Sequence, residues 1–298
     1  MKILLLGKDG QVGSELKRSL LPLGRLCALG RGDLCLRNTS NLLDKLHRHK
    51  PDIIVNAAAY TAVDKAESDI EMAHLINEEV VGLLAEYAYS TKALLLHYST
   101  DYVFDGLKKE AYTESDHTNP QNVYGISKRA GELAILRSQC KHVILRTSWV
   151  FSAKGANFVK TILGLARDRT SLRVVDDQFG APTSAELIAD VTALALSGYC
   201  NDRLEEGIYH LTATGTTSWY GLACYALDKA YAQGMDLSLE VKNIEPISTE
   251  EYPLPAKRPR NSKLDVSALS SALNLHLPQW EVYVDRMVEQ LSKMEYVR

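Results

Sequence analysis

Short apolar runs alternate with longer amphipathic segments along the first half of the chain. The segment 75–87 has helical spacing, with apolar residues recurring every three or four positions. The apolar runs are KILLL (2–6), LCALG (26–30), DIIVN (52–56), ALLLHYS (93–99) and HVILRT (142–147). Such runs, separated by helices, predict an α/β fold with a parallel sheet covered on both faces. Ligands of these sheets bind beyond the carboxyl ends of the strands, so site residues are expected directly after each run.

A glycine-rich turn, GKDGQVG, follows the first run. Glycines let the backbone approach a pyrophosphate, and the N-terminus of the next helix offers free N–H groups and a positive dipole end. The expected cofactor contacts in this turn are Gly7, Gly10, Gln11, Val12 and Gly13. The alternative is a plain strand-to-helix turn. We therefore interpret residues 1–150 as a Rossmann-type, doubly wound dinucleotide-binding domain.

The second strand ends in Gly30-Arg31-Gly32, where a dinucleotide site usually has an acidic residue that holds the adenosine ribose. An arginine can instead pair with a 2′-phosphate, so Arg31 favours NADPH over NADH. A solvated turn residue is the alternative for Arg31. After the third strand, the expected cofactor contacts are Ala57, Ala58, Ala59 and Tyr60. The small alanines leave room for flat cofactor groups, or they only allow tight packing of a helix on the sheet, and Asn56 before them could orient the backbone.

The fourth strand ends in the polar residues Ser99-Thr100-Asp101. A hydroxyl here could polarise a substrate oxygen, or it could only cap a turn. Farther along, YGISK places Tyr124 four residues before Lys128, which puts both on one face of a helix. A phenol has a pKa of about 10 and exchanges a proton near neutrality only if a cation stabilises the phenolate. We therefore expect Lys128 to lower the pKa of Tyr124, which can then pass a proton to a substrate oxygen while a hydride moves.

Several blocks together resemble the extended short-chain dehydrogenase/reductases that act on nucleotide sugars, and within them the dTDP-4-dehydrorhamnose reductases. The similar blocks span essentially the whole chain: GKDGQVG, PDIIVNAAAYTAVDKAE, HYSTDYVFDG, NVYGISKRAGE, ILRTSWVF, DDQFGAPTSAELIAD, GIYHLTATGTTSWY and PAKRPRNSKLD. The resemblance implies an NAD(P)H-dependent enzyme that reduces the C4 ketone of dTDP-4-dehydro-L-rhamnose to dTDP-L-rhamnose. Related dehydratases carry a glutamate where this chain has Tyr102, which disfavours elimination.

The resemblance also implies roles for individual residues. The catalytic trio would be Thr100, Tyr124 and Lys128, with Tyr124 as general acid and with Lys128 also holding the nicotinamide ribose. The substrate contacts would be Thr100, Asp101, Trp149 and Arg258. Without the resemblance, the basic stretch around Arg258 would be interpreted as a solvated turn. The family often has an aspartate where this chain has Leu34-Cys35-Leu36, so the ribose contact and the choice between NADPH and NADH stay open.

Beyond residue 150 the alternation weakens, and we expect residues 151–298 to form mainly a smaller substrate-binding domain, with some segments returning to the first domain. The sequence itself shows no metal site. The resemblance is compatible with a homodimer and with a Mg²⁺ ion bridging subunits through Glu15, Glu186 and a residue near Glu289. Surface helix carboxylates are the alternative for these glutamates.

Composition narrows the choice of partner. Of the 298 residues, 46% are hydrophobic, the formal charge is −3, and the five cysteines include no CxxC pair. These features give no basic surface for nucleic acid and no disulfide framework. No run of about 18 apolar residues and no cleavable leader pattern is present, so no membrane association and a cytoplasmic location are expected. The expected partner is a small-molecule nucleotide sugar.

A second function remains open at this point. The chain also resembles a regulatory subunit of methionine adenosyltransferase, a non-catalytic protein of the same fold that binds NADP. The presence of Thr100, Tyr124 and Lys128 together favours the enzyme.

Overall fold

A computed structural model of the protein describes residues 1–295 and contains twelve strands and eleven α-helices within them. The strands are β1 Lys2–Leu6, β2 Arg25–Leu29, β3 Ile53–Asn56, β4 Leu94–Thr100, β5 His142–Thr147, β6 Val150–Phe151, β7 Leu172–Val175, β8 Phe179–Gly180, β9 Thr183–Ser184, β10 Gly207–His210, β11 Thr217–Ser218 and β12 Ile244–Ile247. The helices are α1 Gln11–Ser19, α2 Thr39–His49, α3 Val63–Ala66, α4 Ile70–His74, α5 Val80–Thr91, α6 Val123–Ser138, α7 Phe158–Asp168, α8 Ala185–Cys200, α9 Trp219–Ala232, α10 Ser267–Leu273 and α11 Trp280–Glu295. A π-helical turn, Leu75–Glu79, joins α4 to α5.

Six strands form one parallel sheet in the order β10-β5-β4-β3-β1-β2. The chain adds β2 on one side of β1 and then continues with β3 on the other side. This reversal makes the gap between the carboxyl ends of β1 and β3 a topological switch point, where ligands of doubly wound sheets bind. The predicted Rossmann-type α/β fold is confirmed.

Both faces of this sheet are buried, which explains the uninterrupted apolar runs. In β1, Ile3 and Leu5 point into a core that also contains Leu16 of α1 and Ile188 of α8. Leu4 and Leu6 lie in a second cluster on the opposite face. The helical members of this second cluster include Leu42 and Leu46 of α2 and Val81 and Leu84 of α5. Alternate side chains of each strand therefore need an apolar partner on each face.

Residues beyond β5 form smaller units around α7, α8 and α9. Three two-stranded pairs occur there, β6 with β9, β7 with β12, and β8 with β11. β10 leaves this part of the chain and pairs with β5 as the edge strand of the main sheet. The division of the chain near residue 150 stays a prediction. Within residues 1–295, helix length and hydropathy allow no membrane-spanning helix.

Candidate active site

The glycine turn after β1 forms a close-fitting cradle at the switch point. Gly7 has a φ of 84°, and its N–H donates to the carbonyl oxygen of Leu29 at 2.9 Å. A Cβ on Gly7 would lie 2.7 Å from the carbonyl carbon of Ala57, so only glycine fits between β1 and the segment after β3. The other predicted residues of this turn begin α1 or precede it directly: Gly10, Gln11, Val12 and Gly13.

The start of α1 is open to an anion. Gly10 at the N-cap contributes no side-chain cap, and the first turn contains no acidic residue. The free N–H groups and the positive end of the helix dipole therefore have no negative side chain at this end of the helix. This chemistry suits a pyrophosphate.

The end of β2 contains a carboxylate that the sequence prediction passed over. Arg31 is exposed, whereas the Asp33 carboxylate turns back to accept a hydrogen bond from Gly30 N–H at 2.9 Å. Lys8 lies 2.6 Å from the same carboxylate, and these contacts hold the pKa of Asp33 below its ordinary value. The candidate ribose site therefore has Lys8 and Asp33 beside Arg31.

The segment after β3 lies against the glycine turn. Its half-buried residues are Ala57, Ala58, Ala59 and Tyr60. The Tyr60 backbone is clamped by the buried Asn77 side chain, whose Oδ1 accepts from Tyr60 N–H at 2.9 Å and whose Nδ2 donates to Tyr60 O at 3.1 Å. Asn77 lies in the π-helical turn, a feature frequent at functional sites.

Thr100 and Asp101 lie buried at the carboxyl end of β4. The Thr100 hydroxyl donates to Asp101 Oδ1 at 3.0 Å and accepts from Tyr102 N–H at 3.2 Å. Burial raises the pKa of Asp101 to about 6, although hydrogen bonds from Ser262 and Thr100 oppose the shift. The carboxyl group is therefore still mostly ionised at pH 7 but takes up a proton just below neutrality.

Helix α6 places Tyr124 beside this strand end. Asn122 caps the helix by accepting from Gly125 N–H at 2.8 Å. A Cβ on Gly125 would lie 2.3 Å from Tyr102 O, so the glycine lets the first turn of α6 pack directly on the turn after β4. The Tyr124 and Tyr102 rings lie 5.5 Å apart in a T-shaped arrangement. Burial raises the pKa of Tyr124 to about 12, and its hydrogen bond with the Thr100 hydroxyl partly offsets the rise.

Lys128 lies one turn farther along α6 and is almost fully buried, with 2% of its surface exposed. Its Nζ donates to Tyr98 O at 2.6 Å and lies 3.2 Å from His97 Nε2. Burial lowers the pKa of Lys128 to about 8, against a smaller rise from the Glu132 carboxylate. The expected lowering of the Tyr124 pKa is not seen, because Lys128 faces β4 and burial dominates the pKa of the phenol.

A buried ion pair fixes α6 against β5. Glu132 accepts two hydrogen bonds from Arg146, from Nε at 2.8 Å and from Nη2 at 2.7 Å. Arg129 adds a third contact to Glu132 at 3.0 Å. Since neither Glu132 nor Arg146 reaches solvent, this fork holds the helix that carries Tyr124 and Lys128 at a fixed height on the sheet.

On the carboxyl-terminal side, Trp149 adopts a left-handed backbone conformation with a φ of 49°. Its ring stacks on Trp219, with centroids 3.6 Å apart, and Trp219 Nε1 donates to Gln178 Oε1 at 3.1 Å. A cavity of about 890 Å³ opens next to this pair. Its lining includes Phe158, Gln178, Trp219, Tyr252, Lys257 and Arg258.

Arg258 makes a bidentate ion pair across the cleft. Its guanidinium donates to Asp64 at 2.9 and 2.7 Å, and Ala256 N–H donates to the same carboxylate at 3.2 Å. The neighbouring Lys257 O accepts from the Asn122 side chain at 2.7 Å. The loop that carries Arg258 is therefore tied both to α3 and to the N-cap of the helix that carries the tyrosine. The positive charge of Arg258 also opposes the rise that burial causes in the pKa of Tyr102, and the ring of Tyr102 contacts Tyr124.

The amino-acid sequence matches one known protein family over almost the whole chain. The family model described as "RmlD substrate binding domain" matches residues 1–293. A dTDP-4-dehydrorhamnose reductase from Salmonella typhimurium is 48% identical over 295 residues, which cover 98% of each chain. The chain belongs to the family of dTDP-4-dehydrorhamnose reductases. Curated members at 46–48% identity are named as enzymes, which favours the reductase over the non-catalytic subunit.

Two solved structures of this reductase family share the fold. The crystal structure of a reductase from Clostridium acetobutylicum has a TM-score of 0.89 and 34% identity, and the match covers 98% of this chain and 99% of that chain. A reductase from Bacillus anthracis in complex with NADP has a TM-score of 0.85 and 33% identity, with coverage of 97% and 99%. The likeness therefore extends over both the glycine turn and the carboxyl-terminal part.

The glutamates considered for a bridging Mg²⁺ are engaged by cations: Glu15 by Arg18, Glu186 by Arg286 and Glu289 by Lys293. No cluster of three or more histidine, cysteine, aspartate or glutamate side chains that could hold a metal occurs in residues 1–295. A metal at a subunit contact in this reductase stays a prediction.

Several residues of the site were missed by sequence reasoning. The pattern of apolar residues does not show that Glu132 is buried, because its partner Arg146 lies on a separate strand. The N-cap signal of Asn122 could have been recognised, since it stands directly before the first helical residue of YGISK. Asp64 and His97 became visible only through their long-range contacts with Arg258 and Lys128.

Proposed function

We propose that this protein catalyses the NAD(P)H-dependent reduction of the C4 ketone of dTDP-4-dehydro-L-rhamnose to dTDP-L-rhamnose. The observation that carries the proposal is the convergence of Thr100, Tyr124 and Lys128 at the carboxyl edge of the sheet, beside the glycine cradle at the switch point. Membership of a reductase family over nearly the whole chain supports the same reaction.

The residues at the switch point fit a dinucleotide. The open start of α1 suits the pyrophosphate, and the small residues 57–59 leave space along the backbone. Lys128 would hold the nicotinamide ribose hydroxyls. When bound there, the reduced nicotinamide supplies a hydride to the carbonyl carbon. The NADP complex of the Bacillus anthracis relative supports NADPH as cofactor, with Arg31 and Lys8 near the expected 2′-phosphate.

Tyr124 would protonate the carbonyl oxygen. A phenol whose pKa is raised to about 12 remains protonated near neutrality and can donate to a developing alkoxide, which is a stronger base than phenolate. Thr100 would release its hydrogen bond to Asp101 and donate to the same ketone oxygen. Lys128 would supply the positive charge that stabilises the phenolate after the proton has left.

The nucleotide sugar would occupy the cavity next to Trp219. Arg258 could fork onto the diphosphate, because its guanidinium already makes a bidentate contact with the Asp64 carboxylate. Trp149 offers an aromatic face to the sugar or the base. Asp101 would contact a sugar hydroxyl from the end of β4. These assignments place the ketone between the cavity and Tyr124.

The test is consumption of NADPH with dTDP-4-dehydro-L-rhamnose, followed by the loss of the absorbance of reduced nicotinamide. Wild-type protein should turn over, and Tyr124→Phe should lose turnover by about 100-fold or more while still binding NADPH. Tyr89→Phe, a change at an exposed surface tyrosine, is the matched control and should retain full activity. Unchanged turnover in Tyr124→Phe would refute the assigned role, and no turnover in the wild type would refute the reaction.

The homodimer and the cytoplasmic location belong to this proposal as well. Sedimentation of the purified chain would measure the first, and fractionation of cells that express it would measure the second. A species of a single chain's mass at all concentrations would refute the dimer.

A further inference from the structure

A chain of buried hydrogen bonds connects the cofactor segment to Lys128. Asn56 and His97 are register partners on β3 and β4, and both are almost completely buried. Asn56 Oδ1 accepts from Ala58 N–H at 3.2 Å, and Asn56 Nδ2 lies 3.1 Å from His97 Nδ1. His97 Nε2 then lies 3.2 Å from Lys128 Nζ.

The Ala58 N–H group determines which atom donates and which accepts in each of these hydrogen bonds. A backbone N–H can only donate, so the oxygen of the Asn56 amide must face Ala58 and its NH₂ group must face His97. His97 Nδ1 is therefore an acceptor, and in the neutral ring the proton is on Nε2. A doubly protonated ring would place two donors against each other at Nδ1. Burial also holds the pKa of His97 well below its ordinary value.

The position of the proton on His97 determines the protonation state of Lys128. With a proton on His97 Nε2, the Nζ atom at 3.2 Å has to accept a hydrogen bond, which an uncharged amine can do and an ammonium group cannot. The amine can still donate to Tyr98 O at 2.6 Å. In this series of hydrogen bonds, every donor meets an acceptor only if Lys128 is uncharged. A charged Lys128 would leave two donors facing each other at one of the contacts.

Several charged groups around α6 have partners of their own. Glu132 on the same helix raises the pKa of Lys128 but is held by Arg146 and Arg129. Further ionisable groups on elements packed against α6 include Glu67, which accepts from Val123 N–H, Glu78, which pairs with His74, and Asp101, which accepts from the Thr100 hydroxyl. The ring of Tyr102 lies against Tyr124.

We propose that Asn56 and His97 are positioning residues that, at mildly alkaline pH, hold Lys128 as an uncharged amine on β4, and that Lys128 then takes up a proton when the cofactor binds. The inference rests on the proposed function, because it assigns Lys128 to the nicotinamide ribose. The ribose hydroxyls and the negative charge of NADPH give the Nζ group acceptors that favour the ammonium form. In this step, one proton from solvent binds to the Lys128 amine, and no other bond forms or breaks.

The experiment measures proton uptake on NADPH binding at about pH 9, with an indicator dye in weak buffer. Tyr124→Phe is the background, since it removes the phenol as a competing proton source and prevents turnover. With the pKa of Lys128 at about 8 before binding and near its ordinary value of about 10.4 afterwards, about 0.9 proton should be taken up per site. Adding Lys128→Met should abolish the uptake.

Two variants test the positioning residues themselves. Asn56→Asp places a carboxylate against His97 Nδ1, so that this nitrogen carries the proton and Nε2 accepts from a charged Lys128. Uptake should then fall by at least about half. If that variant does not fold, His97→Gln serves the same purpose, since its amide oxygen can accept from the ammonium group. NADPH that binds without proton uptake in the Tyr124→Phe background would overturn the inference, whereas failure to bind NADPH would overturn the proposed function instead.

Discussion

Replacing Lys128 with methionine should stabilise the fold while it abolishes the function. Lys128 is almost fully buried, and its pKa falls from an ordinary 10.5 to about 8. A difference of about 2.5 between these values corresponds to about 3 kcal/mol by which the charged form is disfavoured in the folded state. Methionine fills a similar volume without charge, but it leaves Tyr98 O without its donor, at a cost of about 1 kcal/mol. The net gain near neutrality is about 2 kcal/mol.

The pH dependence gives this prediction its sign. The folded-state pKa of Lys128 lies below the unfolded one, so between about pH 8 and pH 10.5 the unfolded wild type binds more protons, and wild-type stability rises with pH relative to the variant. The advantage of Lys128→Met should therefore be complete below about pH 8 and disappear as the pH approaches 10.5. Urea unfolding of both proteins at several pH values in this range measures the difference directly.

Two outcomes would refute this reasoning. A Lys128→Met variant that is less stable than the wild type near neutrality would show that burial does not disfavour the charge. A stability difference that does not change with pH over the same range would show that the pKa of Lys128 is not lowered. Lys92→Met, at an exposed position, is the control and should show no such pH dependence.

Three further predictions concern the elements around Tyr124. Glu132→Gln breaks the buried pair with Arg146 and should lower the free energy of unfolding by about 3–5 kcal/mol, and a loss below about 1 kcal/mol in urea unfolding would contradict the buried-pair argument. Asn122→Asp keeps the helix cap but loses the donor to Lys257 O, so KM for the sugar nucleotide should rise with little loss of stability. Asn122→Ala also loses the cap, so its free energy of unfolding should fall by about 1 kcal/mol. Equal stability of the two variants would contradict the capping role. Arg258→Gln should weaken dTDP binding about tenfold or more in calorimetry with NADPH binding unchanged, and unchanged dTDP affinity would exclude Arg258 from the diphosphate site.

The strands and the glycine turn could be predicted from sequence because their causes are local. The central strands of the sheet are buried on both faces, so most of their residues are apolar, as in residues 3–6 of β1. Gly7 is required by contact with a neighbouring segment, and its spacing from Gly10 and Gly13 makes that requirement recognisable. The periodicity of α6 placed Tyr124 and Lys128 on one side of the helix in the same way.

The electrostatics of the site could not be predicted because they depend on partners from distant parts of the chain. The sequence suggested that Lys128 acts on Tyr124, but its direct partners are His97 and Tyr98 on β4. Without the resemblance, the stretch around Arg258 would likewise be interpreted as a solvated turn, whereas the Arg258 guanidinium pairs with Asp64, which lies 194 positions earlier in the chain. Burial, which determines the direction of both pKa shifts at Tyr124 and Lys128, is a property of the packed helix and not of its spacing.

The central claim is that this chain transfers a hydride to the sugar ketone, and isotope transfer tests it most directly. NADPH carrying deuterium at the transferred position of the nicotinamide should be incubated with dTDP-4-dehydro-L-rhamnose and the purified protein. Our account predicts dTDP-L-rhamnose with one deuterium bound to C4, formed by the wild type and not by Tyr124→Phe. A product without deuterium at C4, or no reduced sugar with a wild-type protein that binds NADPH, would contradict it.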